Sequence, residues 1–181
     1  YNGNINLEAG RKYDIKMEYY EKTGESIARL YWTQPGGSRQ IIPQSQLFSG
    51  TPSSTPVVTQ SSNPTPPVVE SIPPTPVVNQ TPSTPTNNDS SVGDGLKAEY
   101  FAQPNFAGTP ITQVDSTVNF GWGYGSPMAN FRGDFYTVRW SGQVQATTSG
   151  TYNFLISGDD GVRLWVDGKL IANGVEYVRA A

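Results

Sequence analysis

Leu155-Ile156-Ser157-Gly158-Asp159-Asp160-Gly161-Val162-Arg163-Leu164-Trp165-Val166-Asp167-Gly168-Lys169 is the stretch on which the reading of this chain turns. Two strand-like runs, one ending at Ser157 and the other starting at Val162, flank a four-residue turn, Gly158-Asp159-Asp160-Gly161. Two glycines around two acids is turn chemistry, because glycine accepts backbone angles that other residues resist. After the turn, Val162, Leu164 and Val166 alternate with Arg163 and Trp165, the period of two of a half-buried strand. Asp167-Gly168 reads as a tight hairpin turn into residues 169–172. Adjacent carboxylates at a loop tip suit a hard cation, which takes several oxygen ligands. Such acids also serve to accept hydrogen bonds from local backbone N–H groups, and both readings stand at this point.

Outward from this stretch the same period recurs. Tyr13, Ile15, Met17 and Tyr19 alternate with Lys12, Asp14, Lys16 and Glu18. Ala28, Leu30 and Trp32 share one face of the next run, and Gln34-Pro35-Gly36-Gly37 breaks it. Residues 4–7, 96–101, 117–120, 136–146 and 151–157 are further strands, with Gly121-Trp122-Gly123-Tyr124-Gly125 as a glycine-aromatic loop. Arg29, Arg139 and Arg163 fall on the polar faces of their strands; Trp32, Trp140 and Trp165 read as core or sheet-surface packing. No stretch has helical period, so the expectation is all-β.

Residues 51–92 differ. Ten of the fifteen prolines lie there, and Glu70 and Asp89 are its only charges. Thr55-Pro56-Val57-Val58 and Thr75-Pro76-Val77-Val78 repeat, with Pro66-Pro67-Val68-Val69 between them. Proline disfavours ladder pairing and favours extended geometry, so this is a disordered Pro/Thr-rich linker, a spacer or glycosylated stalk. The flanking pieces, 1–50 and 93–181, are each too small to close a barrel. Their expected arrangement is one antiparallel β-barrel or sandwich built from both.

Composition narrows the chemistry. The formal charge of −3 gives no basic footprint for nucleic acid. No apolar run approaches a membrane span. Cysteine and histidine are both absent, which removes disulfides, thiolate and imidazole metal ligands and the Ser-His-Asp triad. A metal here would be held by oxygen, which favours calcium over zinc. Neighbouring acids on one turn do not supply the separated carboxylates of a glycosidase, and no phosphate loop, nucleophile elbow or zinc signature occurs. The expectation is a non-enzyme.

Ser157-Gly158-Asp159-Asp160-Gly161-Val162-Arg163-Leu164-Trp165-Val166-Asp167-Gly168 resembles the core signature of the protective-antigen fourteen-kilodalton (PA-fourteen) domain family, a β-barrel named after a toxin component. Gly95-Leu96-Lys97-Ala98-Glu99-Tyr100-Phe101 resembles its opening strand, and residues 134–142 its middle. Residues 13–21 and 28–32 resemble its closing strands, and 42–47 its exit; the resemblance covers roughly three quarters of the chain. The closing portion comes first here and the opening portion last. The chain is then a piece of a tandem array or a permuted domain, and Tyr1 in place of Met favours the piece.

The resemblance implies a calcium-dependent carbohydrate-binding module of a secreted or cell-surface multidomain protein. In the lectin members, a cis-linked Asp-Asp pair binds calcium that also coordinates sugar hydroxyls; the matching residues are Asp159 and Asp160. Asn130 and Asn173 are further candidate oxygen donors. Trp122 and Tyr124 are candidate stacking platforms for a sugar ring, with plugging of the barrel end the competing role. Asp167 is explained by its turn. Implied partners are glycans or polysaccharide and neighbouring domains of a larger chain, with no nucleic acid and no membrane insertion. The alternative is a structural spacer or protein-interaction domain in a tandem array, without a small ligand.

Overall fold

The computed structural model describes residues 1–50 and 92–174. Apart from Val92, the expected linker lies outside the described residues, as does the end of the chain from 175. Before the proline-rich stretch come β1 (Asn2–Leu7), β2 (Lys12–Glu21), β3 (Ser26–Thr33), β4 (Arg39–Ile41) and β5 (Leu47–Phe48). After it come β6 (Leu96–Phe101), β7 (Ile111–Asp115), β8 (Asn119–Gly123), β9 (Tyr136–Gln145), β10 (Gly150–Asp159), β11 (Gly161–Val166) and β12 (Lys169–Asn173).

The strands form two antiparallel sheets. One runs β1-β10-β3-β4, with β8 also on β3; the other runs β12-β11-β2-β9-β6-β7, with β5 on β9. Strands from both sides of the proline-rich stretch alternate in each sheet: β2 lies between β11 and β9, and β10 between β1 and β3. Ser49 donates its backbone N–H and its hydroxyl to the Asp94 carboxylate, at 2.8 and 2.5 Å. Burial works against the ionised Asp94, but these donors outweigh it and hold its pKa below the usual carboxylate range. Gly95 N–H adds a bond to Leu47 C=O at 3.1 Å, so the two pieces are tied where they meet.

The core follows the period of two. Tyr13, Ile15, Met17 and Tyr19 of β2 face inward with Val162, Leu164 and Val166 of β11 and Ala28, Leu30 and Trp32 of β3. Trp32, Trp140, Tyr152 and Phe154 are fully buried. Burying one large apolar side chain stabilises by roughly 1.5–3 kcal/mol, so these facing stripes carry the fold. Trp165 lies on the outer face, with Lys16 Nζ 4.1 Å from its ring centroid.

Several details differ from the sequence reading. The acid turn is shorter, since β10 reaches Asp159 and β11 begins at Gly161. These strands belong to different sheets, so the acid pair marks the crossing between layers. β8 extends through Gly121 and Gly123, because Ile27 and Ser26 on the edge of β3 pair with them, and Trp122 is the extra residue at the irregularity between the two pairs. β7 carried no alternation to betray it: four of its five residues are exposed. Glu18, placed by its period among solvated residues, is 6% exposed beneath two arginines.

Asp167 and Gly168 both have positive φ, 53° and 73°, as a two-residue hairpin loop with the twist of its strands requires. Gly158 is needed for space. A Cβ there would stand 2.1 Å from Val162 Cγ1.

Candidate functional site

The acid pair stands where β10 crosses to β11, at the far end of β2. Asp159 lies opposite Ile27 of β3, and Gly161 opposite Tyr20 of β2, so both layers hold the crossing. Both acids are exposed. The peptide bond joining them is cis. Asp160 donates its backbone N–H to Tyr20 C=O at 3.2 Å. Its Oδ2 accepts the backbone N–H of Lys22 at 2.6 Å and of Thr23 at 3.3 Å. Among the described residues, the other carboxylate oxygens of the pair take no hydrogen bond, and no cation forms an ion pair with either acid.

Below the turn lies a third acid that sequence reasoning passed over. Glu21, the last residue of β2, is 2% exposed. The inward period of Tyr13, Ile15, Met17 and Tyr19 ends on it, which was the available signal: an acid at a core-facing position. The Tyr19 hydroxyl donates to the Asp159 carbonyl at 2.6 Å and is also bonded to Glu21 Oε2. One hydroxyl proton cannot serve two acceptors. Both contacts are satisfied together when Glu21 carries a proton and donates it to Tyr19. Burial, reinforced by the charges of Asp160 and Asp159 against the opposing Tyr19 bond, pushes the Glu21 carboxyl up to about 7. Desolvation also drives Tyr19 far above the ordinary phenol range and pushes Tyr136 up to about 12.

The other candidate residues are distributed unevenly. Trp122 is half-buried, stacked on Phe120 with ring centroids 4.9 Å apart and within 5.8 Å of the Tyr19 ring. Tyr124 is 81% exposed. Ser26 and Ile27 of β3 pair with Gly123 and Gly121 on one edge, while Ile27 faces Asp159 on the other, so β3 separates this aromatic pair from the acids. Asn130 is exposed with φ of 60°, and Asn173 lies opposite Arg163 in the ladder. Phe135, not singled out from sequence, is 47% exposed and donates its N–H to Lys22 C=O at 2.9 Å. It therefore flanks the residue whose own N–H binds Asp160.

The arrangement can attract a cation. Two exposed carboxylates face solvent with most of their oxygens unengaged and a buried acid beneath them. Among the described residues, no three acids, histidines or cysteines group closely enough to hold a metal by themselves. A metal ion at this turn would draw two carboxylates from the chain, Asp159 and Asp160, and would need its remaining oxygens from a ligand or water.

Comparison with known proteins agrees with the fold. The chain is similar to the anti-sigma-I factor RsgI3 of Acetivibrio thermocellus, 33% identical over 167 residues. That stretch is 92% of this chain and 21% of the relative, so the chain spans about a fifth of that protein's length. No solved structure matches. The model of the PA14 domain matches residues 1–46 and 93–177, interrupted by the proline-rich stretch. With the two antiparallel sheets and the acid crossing in place, this chain belongs to the PA14 domain family.

Proposed function

We propose that this domain is a non-catalytic, calcium-dependent glycan-binding module of a secreted or surface-attached multidomain protein. Asp159 and Asp160 would hold the ion, and vicinal sugar hydroxyls would complete its shell. The observation that carries this reading is the exposed acid pair, to which no cation is paired among the described residues. Like charges held side by side repel, and a divalent ion relieves that repulsion. Calcium would supply a shared electrostatic anchor for sugar oxygens. The chain's own part is to present the carboxylates, through the Tyr19 and Tyr20 contacts, and to offer Tyr124 and Phe135 as exposed aromatic surfaces near the same end. The relative named as an anti-sigma-I factor contains this unit as a minor share of its length, which fits a module serving a larger chain.

A second reading is a spacer without a small ligand. It is favoured by Asp160 Oδ2, which already accepts two backbone N–H groups as a purely structural turn acid does. Calorimetric titration with calcium chloride, then a glycan array with and without chelator, separates the two. The module reading expects calcium heat and a chelator-sensitive glycan signal, both lost in the double variant Asp159→Asn, Asp160→Asn. Absence of both signals in the wild type leaves the spacer.

A further inference from the structure

Directly beneath the acid crossing, four side chains from both sheets converge: Tyr19 and Glu21 of β2, Ser26 of β3 and Tyr136 of β9. All are at least 98% buried. Glu21 and Tyr136 are ladder partners, and the rings of Tyr19 and Tyr136 lie 5.9 Å apart. Ser26 stands within interaction range of the other three. Yet Glu21 Oε1, Ser26 Oγ and the Tyr136 hydroxyl each lack a hydrogen bond of sound geometry. Buried polar atoms without partners are rare, and three in one place call for a common explanation.

We propose that Tyr19, Glu21, Ser26 and Tyr136 enclose one ordered water molecule, and that this water-centred cluster positions the acid turn through the Tyr19 hydroxyl on the Asp159 carbonyl. Internal waters typically make about three hydrogen bonds to buried groups of this kind. The proton count closes for water. It accepts from the Tyr136 hydroxyl, donates to Glu21 Oε1, and exchanges a bond with the Ser26 hydroxyl, which serves as donor or acceptor. A cation fits less well, since three of the four groups are neutral hydroxyls. Glu21, fixed on one oxygen by the water, offers the other to Tyr19. Tyr19 in turn is held with its O–H toward Asp159. Tyr19 and Glu21 are thus positioning residues, acting on the acid pair without touching a ligand themselves.

The water is sought by crystallography of the calcium-free protein at atomic resolution. Expected is one density peak within hydrogen-bond reach of Glu21 Oε1, Ser26 Oγ and the Tyr136 hydroxyl; an empty site would overturn the proposal. The positioning role is read from amide resonances in the Tyr19→Phe variant, which keeps the ring and removes only the hydroxyl. The Asp160 and Gly161 signals are expected to shift, while Tyr100→Phe, a change at another buried tyrosine, leaves them in place. Unmoved signals in Tyr19→Phe would refute the positioning role. Ser26→Ala serves if Tyr19→Phe does not fold: it is expected to lose the water and shift the same two amides. Where the wild type takes up calcium, Tyr19→Phe is expected to weaken that uptake about 10–100-fold, as loss of an orienting partner does at metal sites. A wild type without calcium affinity defeats the glycan reading, whereas the water-centred cluster stands or falls on the density peak and the amide shifts.

Discussion

Two acidic places on the same strand are treated in opposite ways. At Glu18, in the run of β2, the carboxylate is clamped: Arg163 Nη2 at 2.9 Å on one side and Arg139 Nε at 3.3 Å on the other. The Tyr20 hydroxyl donates at 3.1 Å, and Lys16 stands at 3.9 Å. The pairing extends to Glu99, which lies 3.9 Å from Arg139 across the ladder to β6. Three residues further on, Glu21, Asp159 and Asp160 gather with no cation paired to any of them among the described residues. A fold that surrounds one carboxylate with cations has no general shortage of them. Leaving Asp159 and Asp160 without a cation beside a buried acid costs stability, because like charges held close together repel.

The comparison breaks most visibly with pH. Glu21 has a folded-state pKa raised to about 7 from the ordinary 4.5. Between those values the folded chain binds more protons than the unfolded one. Its contribution to stability is therefore complete below pH about 4.5, falls as pH rises, and is gone above about 7. The full shift is worth about 3 kcal/mol, and solvent screening from the adjacent exposed turn reduces this to roughly 2. Chemical denaturation between pH 4.5 and 8 is expected to show this decline, and Glu21→Gln to flatten it. Asp159, Asp160, Tyr19, Tyr136 and Ser26 are the groups that face Glu21. An unchanged slope in Glu21→Gln would refute Glu21 as the source of the decline.

At the clamped end the expected sign is reversed. Glu18→Gln leaves the Arg139 and Arg163 guanidinium groups half-buried with their central carboxylate gone. Breaking a buried pair on one side costs 3–5 kcal/mol; with both arginines about 30% exposed, a loss of about 1–2 is expected. Urea unfolding at pH 7 measures it. The loss is expected to shrink in high salt, because partly exposed pairs are screened.

What the sequence disclosed of this contrast follows from its period. Alternation placed Tyr13, Ile15, Met17 and Tyr19 inward, and they are buried. The glycine-flanked acids marked the crossing between strands. Alternation also sent Glu18 outward, correctly as to face but not as to exposure, because Arg139 and Arg163 come from strands far away in sequence. The same limit hid Glu21. Its inward position was readable, but its neighbours Ser26 and Tyr136 arrive from β3 and β9 only after both sheets are assembled. β7 escaped notice because an edge strand exposed on both faces has no apolar stripe to show.

The smallest effect sharpens the comparison most. Asp160→Asn removes one charge from the unpaired group and retains an oxygen that accepts from the Lys22 and Thr23 N–H groups. The turn's hydrogen bonds are therefore expected to survive while repulsion from Asp159 and Glu21 falls. At these exposed positions the gain is a few tenths of a kcal/mol, comparable to other surface charge pairs. Thermal unfolding of wild type and variant in chelator is expected to show a midpoint equal to or slightly above wild type. In millimolar calcium chloride the order is expected to invert, because a bound ion stabilises only the chain that retains both acids. A ligand site and a structural turn differ in this inversion: a purely structural turn keeps the same order of midpoints in chelator and in calcium chloride.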